Sequence, residues 1–252
     1  MIHIKHFFRF ILILKPLCII IVLSVVFSSF CLYGARIVSG SLHSFRAKEV
    51  SAEVLNRTIV IDAGHGGEDG GTVGVNGVLE KELNLLTSKD LYTLFKFAGY
   101  DVLMTRTEDE MLYDKTSDYV GKKKILDLAA RLRIIEETNP DLFLSIHMNS
   151  FPQEKYSGLT VYFSKNTSES ANVASLIQND IKEHLQPEND RETKAADKNI
   201  YLLDRASCPA ILIECGFLSN REECKALCDP EYRKRLSLII FSSAVIFVEK
   251  KA

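Results

Sequence analysis

Residues 58–71 read TIVIDAGHGGEDGG: an apolar, β-branched run, an acid, then a histidine set among glycines. The run predicts a buried strand. A strand that opens into a glycine-rich turn belongs to α/β chains, whose ligands gather at the carboxyl ends of strands. Phosphate cradles are excluded by spelling. Counting from Gly64 and Gly66, a dinucleotide fingerprint wants a third glycine where the chain has Asp69, and no Gly-Lys-Ser/Thr follows to make a Walker loop. That leaves Asp62 and His65 at a strand end, where a histidine is either a structural polar group or a ligand.

Outward from this turn the α/β rhythm continues. Strands are expected at 57–62 (RTIVID), 100–105 (YDVLMT), 141–147 (DLFLSIH), 158–164 (GLTVYFS), 199–203 (NIYLL) and 209–214 (PAILIE). Apolar residues at helical spacing mark 80–97, through Leu83, Leu86, Leu91, Leu94 and Phe95, with Gly99 as a stop. The same spacing runs over 122–138 through Ile125, Leu128, Leu132 and Ile135, and over 169–185. A last helix over 231–248 contains SLIIFSSAVIF, too short to span a bilayer and therefore a core element. The connection TRTEDEMLYDKTSDYVGKKK (105–124) is long and densely charged, either a lid or partner surface or a mobile solvated loop.

Residues 1–36 differ in kind. Lys5, Arg9 and Lys15 precede PLCIIIVLSVVFSSFCLYGA (16–35), an uncharged stretch long enough for a membrane-spanning helix. Tyr33 stands where a signal peptidase wants a small residue, so an uncleaved signal anchor is expected over a cleaved signal. Arg36, Arg46 and Lys48 put similar positive charge beyond the stretch, so the positive-inside rule leaves orientation open. Residues 37–57 read as a juxtamembrane linker and 58–252 as one domain. A net charge of −2 gives no electrostatic case for nucleic acid. Cys18 and Cys31 fall in the apolar stretch, while Cys208, Cys215, Cys224 and Cys228 form no C-x-x-C pair, which disfavours a zinc knot. Four thiols are expected there, with Cys224 and Cys228 on one helix face.

Three further segments carry candidate chemistry. DLFLSIHMNS delivers His147 to a strand end, followed by Asn149. If its strand neighbours the first in a parallel sheet, two imidazoles meet, and zinc favours such ligands. GVLEKELNLL opens a helix with Glu80, which is either a first-turn carboxylate complementing the helix dipole or a third ligand. Helical spacing turns Glu82 away from that face. PAILIECGFLSN brings Glu214 to the end of a buried strand, a costly place unless the carboxylate is paired or used, as a salt bridge or as a general base. His3, His6, His43 and His184 lie away from these motifs.

In order and spacing, IDAGHGG, the Glu-Lys of LEKELNL, SIHMNS and IECGFLSN resemble the zinc-dependent N-acetylmuramoyl-L-alanine amidases of the type-3 family. The resemblance covers nearly all of 58–250. It implies a mostly parallel central sheet flanked by helices, similar to zinc exopeptidases. It also implies zinc held by His65, Glu80 and His147, with Glu214 as the catalytic acid–base. Three protein ligands would leave one zinc position for water. Glycines 64, 66 and 67 would let a glycan strand approach edge-on, and Asp62 or Asn149 would orient an imidazole, unless Asp62 is a turn cap.

The match is tighter to one subgroup, the germination-specific amidases of spore formers, through the anchor, the long 105–124 loop, SGLTVYFS and the lack of wall-binding repeats. Those enzymes strip stem peptides from selected muramic acids of the cortex, a step towards muramic δ-lactam. The implied substrate is a peptidoglycan strand with its stem peptide, on the outer side of a membrane, with or without a regulatory protein. Vegetative wall amidase, zinc peptidase and non-catalytic wall-binding protein are the rival readings.

Overall fold

The computed structural model describes residues 57–114, 116 and 119–250. The expected anchor, 1–36, and all but the last residue of the linker fall outside them. Six strands form one sheet: β1 (Thr58–Ala63), β2 (Asp101–Met104), β3 (Leu142–Asn149), β4 (Thr160–Phe163), β5 (Lys194–Ala195) and β6 (Ala210–Phe217). The helices are α1 (Glu80–Phe97), α2 (Lys123–Thr138), α3 (Ser168–His184), α4 (Tyr201–Arg205), α5 (Arg221–Cys228) and α6 (Pro230–Lys250). Strand order is β2-β1-β3-β6-β4-β5, with β2, β1, β3 and β6 mutually parallel and β4 antiparallel to β6. The sheet is thus mostly parallel, as expected, and strands 1 and 3 are neighbours.

Strand alternation divides the core. Ile59, Ile61, Leu144, Ile146, Ile211 and Ile213 point to one face and are covered by α1, α3 and α6 through residues such as Leu91, Phe95, Ile177 and Ile240. Val60, Phe143 and Ala210 point to the other, against Ile135 of α2 and Leu202 and Leu203 of α4. Further along that second face the strands turn polar. Asp62, Ser145, Leu212 and Tyr162 lie in one row across β1, β3, β6 and β4. No described helix is long and apolar enough to cross a membrane, and SLIIFSSAVIF (237–247) is a core segment: Ser237, Ile240 and Ala244 are fully buried.

One expected strand is a helix. Just ahead of 199–203 the chain turns at Asp197, whose carboxylate accepts from the Asn199 amide, and then coils into α4 with Asp204 N donating to Ile200 O. Period alone cannot arbitrate an apolar run this short, and one helical turn buries Leu202 and Leu203 under the sheet. The strand position is taken by exposed Lys194–Ala195, parallel to β4. Cys215, Cys224 and Cys228 are free thiols.

The polar row centres on a buried ion pair. Arg131 donates to Asp62 at 2.6 Å and to Asp127 at 2.8 Å, and Asp62 also accepts from Thr105 and Ser145, each at 2.7 Å. Burial alone would raise the Asp62 pKa, but Arg131 and the hydroxyls outweigh it and hold the pKa below its ordinary value. Arg131→Met should therefore cost about 3–5 kcal/mol of unfolding free energy, because two buried carboxylates lose their cation; urea denaturation at neutral pH measures it. The depressed Asp62 pKa makes its contribution complete above the ordinary value of 3.8 and lost as pH falls below it. The gap between wild type and variant should accordingly shrink in acid.

Candidate metal and catalytic site

His65 lies two residues beyond β1, in the left-handed region at φ 60°. A non-glycine residue there costs about 1–3 kcal/mol unless its surroundings hold it. Two buried arginines do so. Arg131 donates to the carbonyls of Ala63 and His65 at 2.8 and 2.7 Å, and Arg106 donates to those of Ala63 and Gly64 at 2.9 and 3.0 Å. The 105–124 connection fastens the same turn from outside. Asp109 accepts from Gly67 N at 2.7 Å and from Lys81 Nζ at 2.7 Å, so this part of the loop is a strap over the glycines.

Clamped in this way, the imidazole meets two other side chains. His65 Nε2 is 3.2 Å and His147 Nδ1 3.0 Å from the same Glu80 oxygen, Oε1. The rings stand edge to face, 5.0 Å apart. One donor atom from each of His65, Glu80 and His147 lies within 4.8 Å of the others. Glu80 opens α1 but does not cap it. Its Oε2 accepts from Thr72 N, and Oε1 also accepts from Met148 N and Asn84 Nδ2. Burial opposes the charged form of Glu80, yet the two imidazoles outweigh this and hold the carboxyl far below the ordinary range. At His65 burial favours the neutral ring, but Glu80 and Asp69 outweigh it and raise the pKa. Two imidazoles and an anionic carboxylate on one point are a donor set that fits zinc.

Glu214 pairs with His147 in the β3–β6 register and faces the same space. Its Oε2 is buried with no hydrogen-bond partner. Burial, only partly offset by the imidazoles, pushes its pKa up to about 7. The salt-bridge alternative has no support, since no cation is paired with it among the described residues. Glu214, His65 and His147 line a cleft of 450 Å³ that runs over the polar row between α2 and the segment around α4, past Tyr162, Tyr201 and Leu212.

Several expectations change here. Asp62 orients no imidazole and caps no turn; its oxygens are taken by Arg131, Thr105 and Ser145. Asn149 accepts from the Ser150 amide instead of reaching a histidine. The glycines do not open a path for substrate, because their missing side chains are filled by the protein itself. A Cβ at Gly64 would fall 2.3 Å from the His147 ring, and one at Gly66 would fall 2.2 Å from the Glu110 carbonyl. Sequence reasoning missed Asp69, whose Oδ2 lies 3.0 Å from His65 Nδ1 without hydrogen-bond alignment. It also missed both arginines. Arg131 shares the inward face of its helix with Leu128 and Ile135, and a charge on an apolar stripe was the available signal.

Comparison with known proteins identifies the family and its fold. Residues 59–243 match the N-acetylmuramoyl-L-alanine amidase family profile. The germination-specific N-acetylmuramoyl-L-alanine amidase of Bacillus subtilis is 31% identical over 204 residues, 81% of this chain and 85% of that protein. The CwlD amidase of Clostridioides difficile, solved in complex with the GerS lipoprotein, superposes with a TM-score of 0.73 at 36% identity, covering 77% of this chain and 99% of that one. The amidase AmiC2 of Nostoc punctiforme gives 0.65 at 28% identity, over 77% and 97% of the two chains.

Gly64→Ala tests the packing of the cluster. The added methyl must push the His147 imidazole aside, so zinc affinity should fall by about 10–100-fold, read by equilibrium dialysis with elemental analysis. Far-UV circular dichroism should remain that of the wild type.

Proposed function

We propose, for a chain that belongs to the N-acetylmuramoyl-L-alanine amidase family, that it hydrolyses its muramoyl–L-alanine amide with zinc held by His65, Glu80 and His147 and with Glu214 as general base. The observation that carries the reading is the meeting of one Glu80 oxygen with two imidazole nitrogens beside the unpartnered Glu214 oxygen. When bound, zinc supplies Lewis acidity to the scissile carbonyl and to water. Glu80, held anionic, offers its oxygen without first losing a proton. The negative charge of Asp69, 3.0 Å from His65 Nδ1, favours the ring's proton on Nδ1 and leaves the Nε2 lone pair for the cluster. Glu214 Oε2 takes the proton of the attacking water and passes it to the departing L-alanine nitrogen. A pKa raised to about 7 by burial suits both transfers at neutral pH.

The finer role follows the germination-specific relative and the CwlD amidase. We place the substrate in spore-cortex peptidoglycan, where removal of the stem peptide prepares muramic acid for δ-lactam formation. The segment 1–36 would hold the domain 58–252 on the outer side of a membrane. A lipoprotein partner, as in the CwlD complex, belongs to the same proposal.

Glu214→Gln should keep full zinc content and lose about 10²–10⁴-fold in stem-peptide release, by mass analysis of digested cortex peptidoglycan. Chelation should abolish release by the wild type, and zinc should restore it. The expected products are free L-alanine amino termini and intact glycan; cleavage elsewhere in the peptide would favour the peptidase reading.

A further inference from the structure

At and beyond the carboxyl ends of β3 and β6 stands a group of aromatic side chains that the proposed chemistry does not use. Phe151 follows His147 by four residues, a reach of no more than about 14 Å, and Phe217 follows Glu214 by three. Phe151 and Tyr156 are 45% and 36% exposed. Their rings stand 4.8 Å apart at 82°, and Phe217 continues the group 6.4 Å from Tyr156. Arg191 lies 4.5 Å over the Phe217 ring, and the Lys155 ammonium lies 5.5 Å from that of Tyr156.

The loop that carries these rings is built, not loose. Phe151 N donates to Ser219 Oγ at 3.0 Å, Asn220 Nδ2 to Glu154 O at 2.9 Å, and Arg191 Nε to Ser157 O at 2.5 Å. The two Glu223 oxygens accept from Gly158 N at 2.9 Å and Phe217 N at 2.7 Å, tying the loop's end to the end of β6. An ordered aromatic surface loses little entropy when a ligand docks. Two exposed rings, backed by the buried Phe217 and flanked by Lys155 and Arg191, suit one ligand chemistry. Pyranose rings carry C–H faces that pack on π surfaces, and their hydroxyl and acetamido oxygens accept from ammonium and guanidinium groups.

We propose that Phe151 and Tyr156 form a stacking platform for the sugar rings of the glycan strand, so that the strand lies across the mouth of the catalytic cleft. This rests on the amidase reading, which makes the ligand a glycan with a peptide arm. None of the platform residues lines the 450 Å³ cleft, which leaves that cleft to the peptide arm.

The test is calorimetric titration of the full chain with a β-1,4-linked N-acetylglucosamine hexamer, which has no stem peptide and no scissile amide. The wild type should bind saturably. Phe151→Ala and Tyr156→Ala should each weaken binding by about tenfold, the loss of one half-buried ring contact. Tyr156→Phe should bind as the wild type does. Phe97→Ala, a 93% exposed phenylalanine at the far end of α1, is the control and should change nothing. Thermal melting confirms that each variant is folded. Absence of wild-type binding, full binding by Tyr156→Ala, or equal loss in Tyr156→Phe would each overturn the platform. Release of L-alanine termini by the wild type is scored separately. Release without hexamer binding sinks the platform alone, and binding without release sinks the amidase reading while the platform stands.

Discussion

The arrangement depends on one buried guanidinium. Arg131 reaches from α2 across the sheet face, takes Asp62 and Asp127 as counter-ions, and spends its remaining donors on the carbonyls of Ala63 and His65. A cation so deeply buried is tolerated only because charges and donors are matched within a few ångströms. Its effect is local and geometric. The backbone after β1 is held in a left-handed conformation that an ordinary residue avoids, and the imidazole is aimed at Glu80 as a result. Arg106, just past the carboxyl end of the neighbouring parallel strand β2, grips the same turn through the carbonyls of Ala63 and Gly64.

The two faces of the sheet have different tasks. One is apolar along its length and fully covered by three helices, which supplies the packed core. The other is apolar only near the strand starts, then changes to the polar row and to His147 and Glu214. Covering that face incompletely leaves the cleft open beside a carboxylate whose burial sets its proton affinity. Fold and chemistry meet at the same two residues of β3 and β6.

Much of this was legible in the sequence, and the reason is spacing. Strands over 58–63, 142–149 and 210–217 announce themselves by short apolar runs, and each run leads directly to His65, His147 or Glu214. Helices α1, α2, α3 and α6 show their apolar stripes. What stayed hidden depends on partners distant in sequence. Nothing in GHGG says that Gly64 is small because the His147 ring occupies its place. Nothing near Asp62 names Arg131, sixty-nine residues on, as its counter-ion. NIYLL misled because five residues carry too little periodicity to choose between strand and helix, and α4 was chosen by what Leu202 and Leu203 could cover.

The cluster's three members come from a turn after β1, the first residue of α1 and the sixth residue of β3, segments that no short stretch of chain brings together. An unfolded or partly assembled polypeptide therefore offers an ion only single, weak ligands. Loading of an ion at this cluster would come after the sheet has formed, and a bound ion would then oppose unfolding through mass action. For a chain that folds outside the cell's interior, catalytic competence would be set by the metal supply met there, not by the supply where the chain was made.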